Sequence, residues 1–389
     1  MPAPAAEARA DGHAFRARND VSAKSVALSR RALISIGAAV DNVLPDGFAF
    51  VMATGIVAHD AHLEGASLPS AALLAIAVVG YVVLLTLEID HAARDPKRVF
   101  AELASPRRGP GFLALVAATG VVGVELAPMY PHVSAVVWQL QAVLWLGLTY
   151  VFLASVAAHK HKPRLTSALS GSWLLSVVAT QSVAMLGTLV AAQFGEDALV
   201  LFVSVCMFLS ACVLYLALIP LIVNRLEFLR LAPVAFTPDY WINMGAMAIT
   251  ALTGATLLSL SASSPLLQQL STFLLGLCLL FWAGATWWIP LLVLLELWRH
   301  ILRRVRIEYG TRYWSLVFPV GMYAACTFEV AQLVHLGLLM ILAQWAAYLA
   351  LGLWLMAFVG LVCDLTGHGS RMPGRCPVAT TGLSARVVR

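Results

Sequence analysis

Not one of the 25 lysines and arginines of this chain lies inside its ten long apolar runs. Charge of either sign is scarce, 12% of 389 residues against 60% hydrophobic. A soluble globular domain carries about 25% charged residues, so this balance excludes one and points to a polytopic membrane protein. Cysteine patterning is missing too. The six cysteines (Cys206, Cys212, Cys278, Cys326, Cys363 and Cys376) show no C-x-x-C spacing, and the first five sit singly in apolar runs, where a thiol behaves as a small hydrophobe. Neither a disulfide framework nor a metal cage is indicated. There is no G-x-S-x-G with His and Asp partners, no glycine-rich phosphate loop and no H-E-x-x-H. A membrane enzyme needs several polar groups converging at one depth, whereas the hydroxyls here are spread along the apolar runs. We therefore expect no enzyme, no cofactor and no metal. The N-terminal stretch, with Arg9, Arg16, Arg18, Lys24, Arg30 and Arg31 among alanines and acids, lacks an apolar core followed by a cleavage site. It reads as a soluble tail.

The apolar runs fall at 47–61, 69–89, 111–129, 132–157, 169–194, 198–223, 240–260, 270–298, 313–336 and 338–363. Most reach the roughly 20 residues that span hydrocarbon, the first being short. The expectation is an all-α integral membrane protein with ten transmembrane helices in a domain at 45–364, flanked by tails at 1–44 and 365–389. Every Lys and Arg lies in the two tails or in the four loops marked by Arg94 to Arg108, Lys160 to Arg164, Arg225 to Arg230, and Arg299 to Arg312. Basic residues are retained on the cytoplasmic side. Their distribution predicts a multi-pass protein of the cytoplasmic membrane with both termini in the cytoplasm. The net charge of +5 is then a topology signal with some attraction to anionic lipid, and calls for no nucleic acid.

The connections on the other side are short, so consecutive runs pair as five helical hairpins. Within them the odd-numbered runs carry small and hydroxyl residues: Thr54 and Gly55; Thr119 and Gly120; Thr180 and Gly187; Gly245, Thr250 and Thr253; Gly321 and Thr327. The even runs lean toward Leu, Val and Trp. Small residues permit close helix approach, and hydroxyls suit either interhelical contacts or a polar lining. The same bias in five odd runs predicts an inner ring around a central pore, with these residues as lining candidates, and an outer ring of even helices.

Ionisable residues near the runs are few. Glu88, Asp239, Glu296 and Asp364 fall at cytoplasmic ends and read as solvated or arginine-paired. Glu125 and Glu329 are deeper toward the outer face and are candidates for coupling to protons. His59, Asp60, His62 and Glu64 read as an outer loop without a zinc-ligand spacing. With no cation in any run, an anion could be attracted only by helix starts, hydroxyls or the basic mouth. Pro45-Asp46-Gly47 and Thr237-Pro238-Asp239 are such starts, with Thr237 placed to cap.

Three stretches, PDGFAFVMATGIVAHDA from Pro45, PDYWINMGAMAI from Pro238 and WSLVFPVGMYAA from Trp314, resemble the tellurite-resistance/dicarboxylate transporter family. That family, part of a voltage-dependent anion channel superfamily, includes fungal malate and sulfite permeases and plant guard-cell slow anion channels. The resemblance covers roughly 45–364. It implies a homotrimer in which each subunit has its own pore, lined by odd-numbered helices and blocked by a phenylalanine on the ninth. Its substrates are small anions such as chloride, nitrate, sulfite or dicarboxylates. By the F-P step the blocking residue corresponds to Phe318, with Pro319 and Gly321 freeing the helix to move it. Counted from Tyr313, Phe318 lies only about 8 Å into its helix at 1.5 Å per residue. A plug at that depth needs an earlier helix start or a recessed mouth.

Overall fold

The computed structural model describes residues 47–366 except 159, 161–167, 196, 231, 307 and 308. The N-terminal tail, nearly all of the C-terminal one, Pro45, Asp46, Lys162, Arg164 and Cys376 lie outside the described residues. In chain order the helices are α1 (Phe48–Leu63), α2 (Ser67–Arg94), α3 (Pro96–Leu103), α4 (Gly109–Leu126), α5 (Pro131–Ala158), α6 (Leu175–Gln193), α7 (Ala198–Phe228), α8 (Ile242–Ser259), α9 (Pro265–Leu297), α10 (Trp314–Val334) and α11 (Gly337–Leu365). No strand occurs among the described residues. Nine of these helices are long and apolar enough to cross a membrane; α1, with 16 residues, is a shorter apolar helix. A chain in hydrocarbon must satisfy every backbone polar group internally, and unbroken helices do so.

Five hairpins are present: α1 with α2, α4 with α5, α6 with α7, α8 with α9, and α10 with α11. Two of their tight turns need a left-handed residue, supplied by Gly65 (φ 77°) and Gly195 (φ 76°). The first helices of the hairpins contact one another in the closed order α1, α4, α6, α8, α10 and back to α1. In the most apolar 18 residues of α4, α6, α8 and α10, with the 3₁₀ lead-ins of the last three, 72 to 89% are buried. The corresponding share for the second helices is only 17 to 39%. These are the two rings: five inner helices sealed on all sides, and five outer helices presenting Leu, Val and Trp to the bilayer.

The rings are pinned together by a contact that recurs around the molecule. An aromatic side chain on the outer helix of one hairpin reaches the inner helix of the next. Tyr81 meets Thr119 at 2.8 Å, Trp145 donates to Thr180 at 2.8 Å, and Trp282 donates to Thr327 at 3.0 Å. Trp354 of α11 closes the circle by donating to Thr54 at 3.0 Å. At the remaining junction Tyr215 donates to the Asn243 carbonyl at 3.4 Å and accepts from Trp288. Each threonine directs its own proton to the carbonyl four residues back, as Thr54 does to Phe50 at 2.7 Å. Its lone pair is left for the aromatic donor. Thr54, Thr119, Thr180 and Thr327 are thus corrected from lining candidates to pins between the rings, because burial beside an indole or phenol donor fixes where the hydroxyl points. Replacing Trp354 with Phe should lower the unfolding free energy in detergent by about 1 kcal/mol, the range of interhelical hydrogen bonds in membranes, while Thr54→Ser should be nearly neutral.

One helix lies outside the sequence reading. Asp95 caps α3 by accepting from the Arg98 backbone N–H at 3.1 Å, and Pro96 takes the first helical position. Leu103 then packs on Phe112 and Phe152, seating this stub beside the start of α4.

Candidate functional site

All five inner helices begin at the same end of the ring, the end that carries every described lysine and arginine. Three of them, α6, α8 and α10, are led in by 3₁₀ turns at Gly171–Leu174, Pro238–Trp241 and Thr311–Tyr313, none of which has a side-chain cap. Their first N–H groups, and the positive ends of five helix dipoles, therefore gather at one mouth. Thr237 does not cap α8 as its position suggests. Its hydroxyl donates instead to Asp239 at 3.2 Å.

This mouth is a cavity of about 680 Å³. Its wall carries Arg107, Arg108, Arg225 and Arg312, with Ser105, Ser170, Ser172, Thr237, Thr311 and Ser315 between them, and Asp239 is the one carboxylate among the lining residues. Deeper in, each inner helix contributes an apolar residue: Met52 from α1, Ala114 from α4, Leu175 from α6, Ile242 from α8 and Phe318 from α10. Phe318 is the largest of the five and is only 2% exposed. The mouth is recessed down to this collar, so an early position in α10 is still deep along the path.

Beyond the collar a second, far narrower cavity of about 20 Å³ is lined by Ile56, Val121, Val124, Ile249, Leu252 and Met322, among others, and by His59 and Glu125. Its size admits about one water molecule. Ala49, Met52, Ile56 and His59 line the two cavities in turn along one face of α1, and Ser315, Phe318 and Met322 do so along α10. Spacings of three and four residues keep these side chains on one stripe of each helix. The two cavities thus lie in series along α1 and α10, and Phe318, which lines the wide one, precedes Met322 of the narrow one by one helical turn.

The other candidates from the sequence fall as follows. Gly120 and Glu125 line the narrow cavity. Thr250 donates to Ala246 at 2.7 Å and accepts from Gln181 at 3.1 Å, and Thr253 donates to Ile249 at 2.8 Å. Gly55 faces Val121, and Gly187 faces Ser204 and Trp138 of the outer ring. Gly245 lets α8 approach Pro319 so closely that a Cβ there would come within 2.8 Å of the proline ring. Gly321 likewise admits Ile56 and the Asp60 carboxylate, the latter 3.1 Å from where its Cβ would stand. Both glycines hold α10 tightly against its neighbours.

His59 and Asp60 belong to the last turn of α1, with His62, and not to a loop. His59 Nδ1 lies 2.8 Å from Glu125 Oε1, joining α1 to α4 across the narrow cavity. Asp60 is 3% exposed and neither carboxylate oxygen has a hydrogen-bond partner. Glu329 is close enough to act on His59 electrostatically but lines neither cavity. The four-residue stripe ending at His59 was the available signal, hidden because hydropathy falls before the helix ends. Near the basic end, Glu88 is buried at 7% exposure, and Asp239, on the wall of the mouth, is 9% exposed and accepts from Thr237. Glu296 does pair, with His300 at 3.2 Å and Arg299 at 3.8 Å, and it accepts from Trp241.

Residues 42–362 match the model of a family described as voltage-dependent anion channel. An uncharacterized membrane protein of Mycobacterium tuberculosis is 36% identical over 152 residues, covering 39% of this chain and 77% of that protein. Two uncharacterized transporters of Methanocaldococcus jannaschii are 23% and 22% identical over 336 and 331 residues. Those matches cover 83% and 82% of this chain and 93% and 90% of the transporters.

Proposed function

The chain belongs to the voltage-dependent anion channel family, and from its path we propose an anion channel of the cytoplasmic membrane, closed by Phe318, that passes small monovalent anions. What supports this reading is the place of Phe318 on the wall of an arginine-lined cavity, with a second, far narrower cavity next along α1 and α10. The arginines and helix starts raise the local anion concentration at the mouth. The neck offers no lysine or arginine, and its one imidazole, His59, is held by Glu125, so passage there turns on the cost of removing water from the ion. That cost rises steeply with charge, which favours chloride or nitrate over C4-dicarboxylates. By the distribution of basic residues the wide mouth faces the cytoplasm, as do both termini. Opening is a swing of the Phe318 ring toward the roomy mouth, since Gly245 and Gly321 clasp α10 itself. The protein works as a homotrimer with one path per subunit, the exposed outer ring meeting lipid and its sister subunits.

The test is flux in reconstituted vesicles. Chloride and nitrate efflux under an imposed potential is expected to exceed that of empty vesicles, with malate and succinate slower. Dicarboxylate movement faster than that of either monovalent ion overturns the assignment.

A further inference from the structure

Arg107 and Arg108 from the connection before α4, Arg225 from the last turn of α7 and Arg312 from the lead-in of α10 face one cavity. Arg108 is drawn to Glu102 at 2.7 Å. The Arg225 guanidinium carbon lies 5.8 Å over the ring of Tyr240. Asp239 is the single opposing carboxylate on the wall, so the lining holds an excess of positive charge. The volume, about 680 Å³, is far more than a halide needs and falls within the roughly 300–1,000 Å³ range of pockets for organic ligands. Hydroxyls of Ser170, Ser172 and Thr311 lie between the cations as further donors.

The two ends of the path treat a multivalent anion in opposite ways. Attraction to the arginines grows in proportion to its charge, while the cost of stripping its water for the neck grows about as the square. Glu125, a carboxylate of the same sign as the anion, lines the neck itself. We propose that the mouth is a binding site for a multivalent anion bearing carboxylate or phosphate groups, which enters from the arginine side, cannot pass Phe318 and obstructs the path while bound. Arginine forks engage both groups with paired hydrogen bonds, so the two chemistries share the site. The obstruction rests on the channel reading above; the binding does not.

Purified full-length protein in detergent is titrated calorimetrically with tripolyphosphate and, separately, with citrate, the two arms distinguishing phosphate from carboxylate ligands. Saturable binding of at least one is expected, weakened about tenfold or more in the Arg107→Gln/Arg225→Gln double variant, as loss of charge-assisted contacts implies. Arg94→Gln, which removes an exposed cation paired with Asp90 outside the cavity, should bind as wild type does. Arg107→Lys/Arg225→Lys retains the charge and should recover part of the affinity, which separates site loss from misfolding. In a planar bilayer the bound probe should reduce chloride current when added on the arginine side and leave it unchanged from the other. Absence of saturable binding by either probe, or equal binding in the double glutamine variant, overturns the site. Chloride current with no binding defeats this inference and spares the channel, whereas binding without any anion current does the reverse.

Discussion

Replacing Phe318 with alanine is expected to raise chloride conductance in reconstituted vesicles by about tenfold or more, since every 1.4 kcal/mol removed from a barrier is a factor of ten. The ring is the bulkiest member of a five-residue collar whose other members include Ala114 and Leu175. It is 2% exposed, so its removal leaves space that the clasped helix cannot close. Gly245 already brings α8 against Pro319, and Gly321 brings Ile56 against α10. Pro319 also lacks the N–H that would bond the Ser315 carbonyl, leaving that oxygen available at the collar. Truncating a buried phenylalanine costs about 3–5 kcal/mol of stability, so a folded population must be shown by thermal unfolding alongside the flux. Phe318→Leu keeps much of the packing and should give an intermediate conductance. A well-folded Phe318→Ala protein that conducts no faster than wild type would sink the gate assignment.

The hairpin order and the two rings were readable because they follow from residue distribution along whole helices. A basic loop every second turn and small residues in every second run leave little freedom in how ten helices are threaded. The direction of individual side chains was not readable for a different reason. The inner helices are buried on every face, as in α6 and α8, where nearly every residue is buried. Periodicity then carries no information about which face meets the axis. A hydroxyl on such a helix serves a pore or a neighbour equally well, and it was the indoles of Trp145, Trp282 and Trp354, on other hairpins, that decided it. The run Thr180, Gln181 and Ser182 shows this most plainly. Thr180 meets Trp145 and Ser182 accepts from Gln141, both on α5, while Gln181 meets Thr250 on α8, so adjacent residues turn to opposite neighbours. Likewise Arg107, Arg225 and Arg312 revealed topology in the sequence, but their convergence on one cavity exists only after the ring closes.

Neutralising the acids of the narrow end, with Asp60→Asn and Glu125→Gln together, is expected to raise chloride conductance at neutral pH by about tenfold. Two like unit charges about 6 Å apart repel by about 3 kcal/mol at an effective dielectric near 20, and partial screening by His59 and water leaves a fraction of that. The charges facing this end are His59, Asp60 and Glu64 from α1 and its cap, Glu125 from α4 and Glu329 from α10. Three of the carboxylates have a single histidine among them, bonded to Glu125, and the Asp60 carboxylate has no hydrogen-bond partner. An anion leaving the neck therefore meets the Glu125 carboxylate, the one acid among the residues that line the narrow cavity. His59→Gln carries the opposite sign. It strips Glu125 of its partner and should lower the neutral-pH conductance. These outcomes separate a channel from a carrier at the same residues. If the carboxylates are instead the proton-carrying step of coupled uptake, the double variant loses transport driven by a pH gradient rather than gaining conductance, and Glu329→Gln shares the loss.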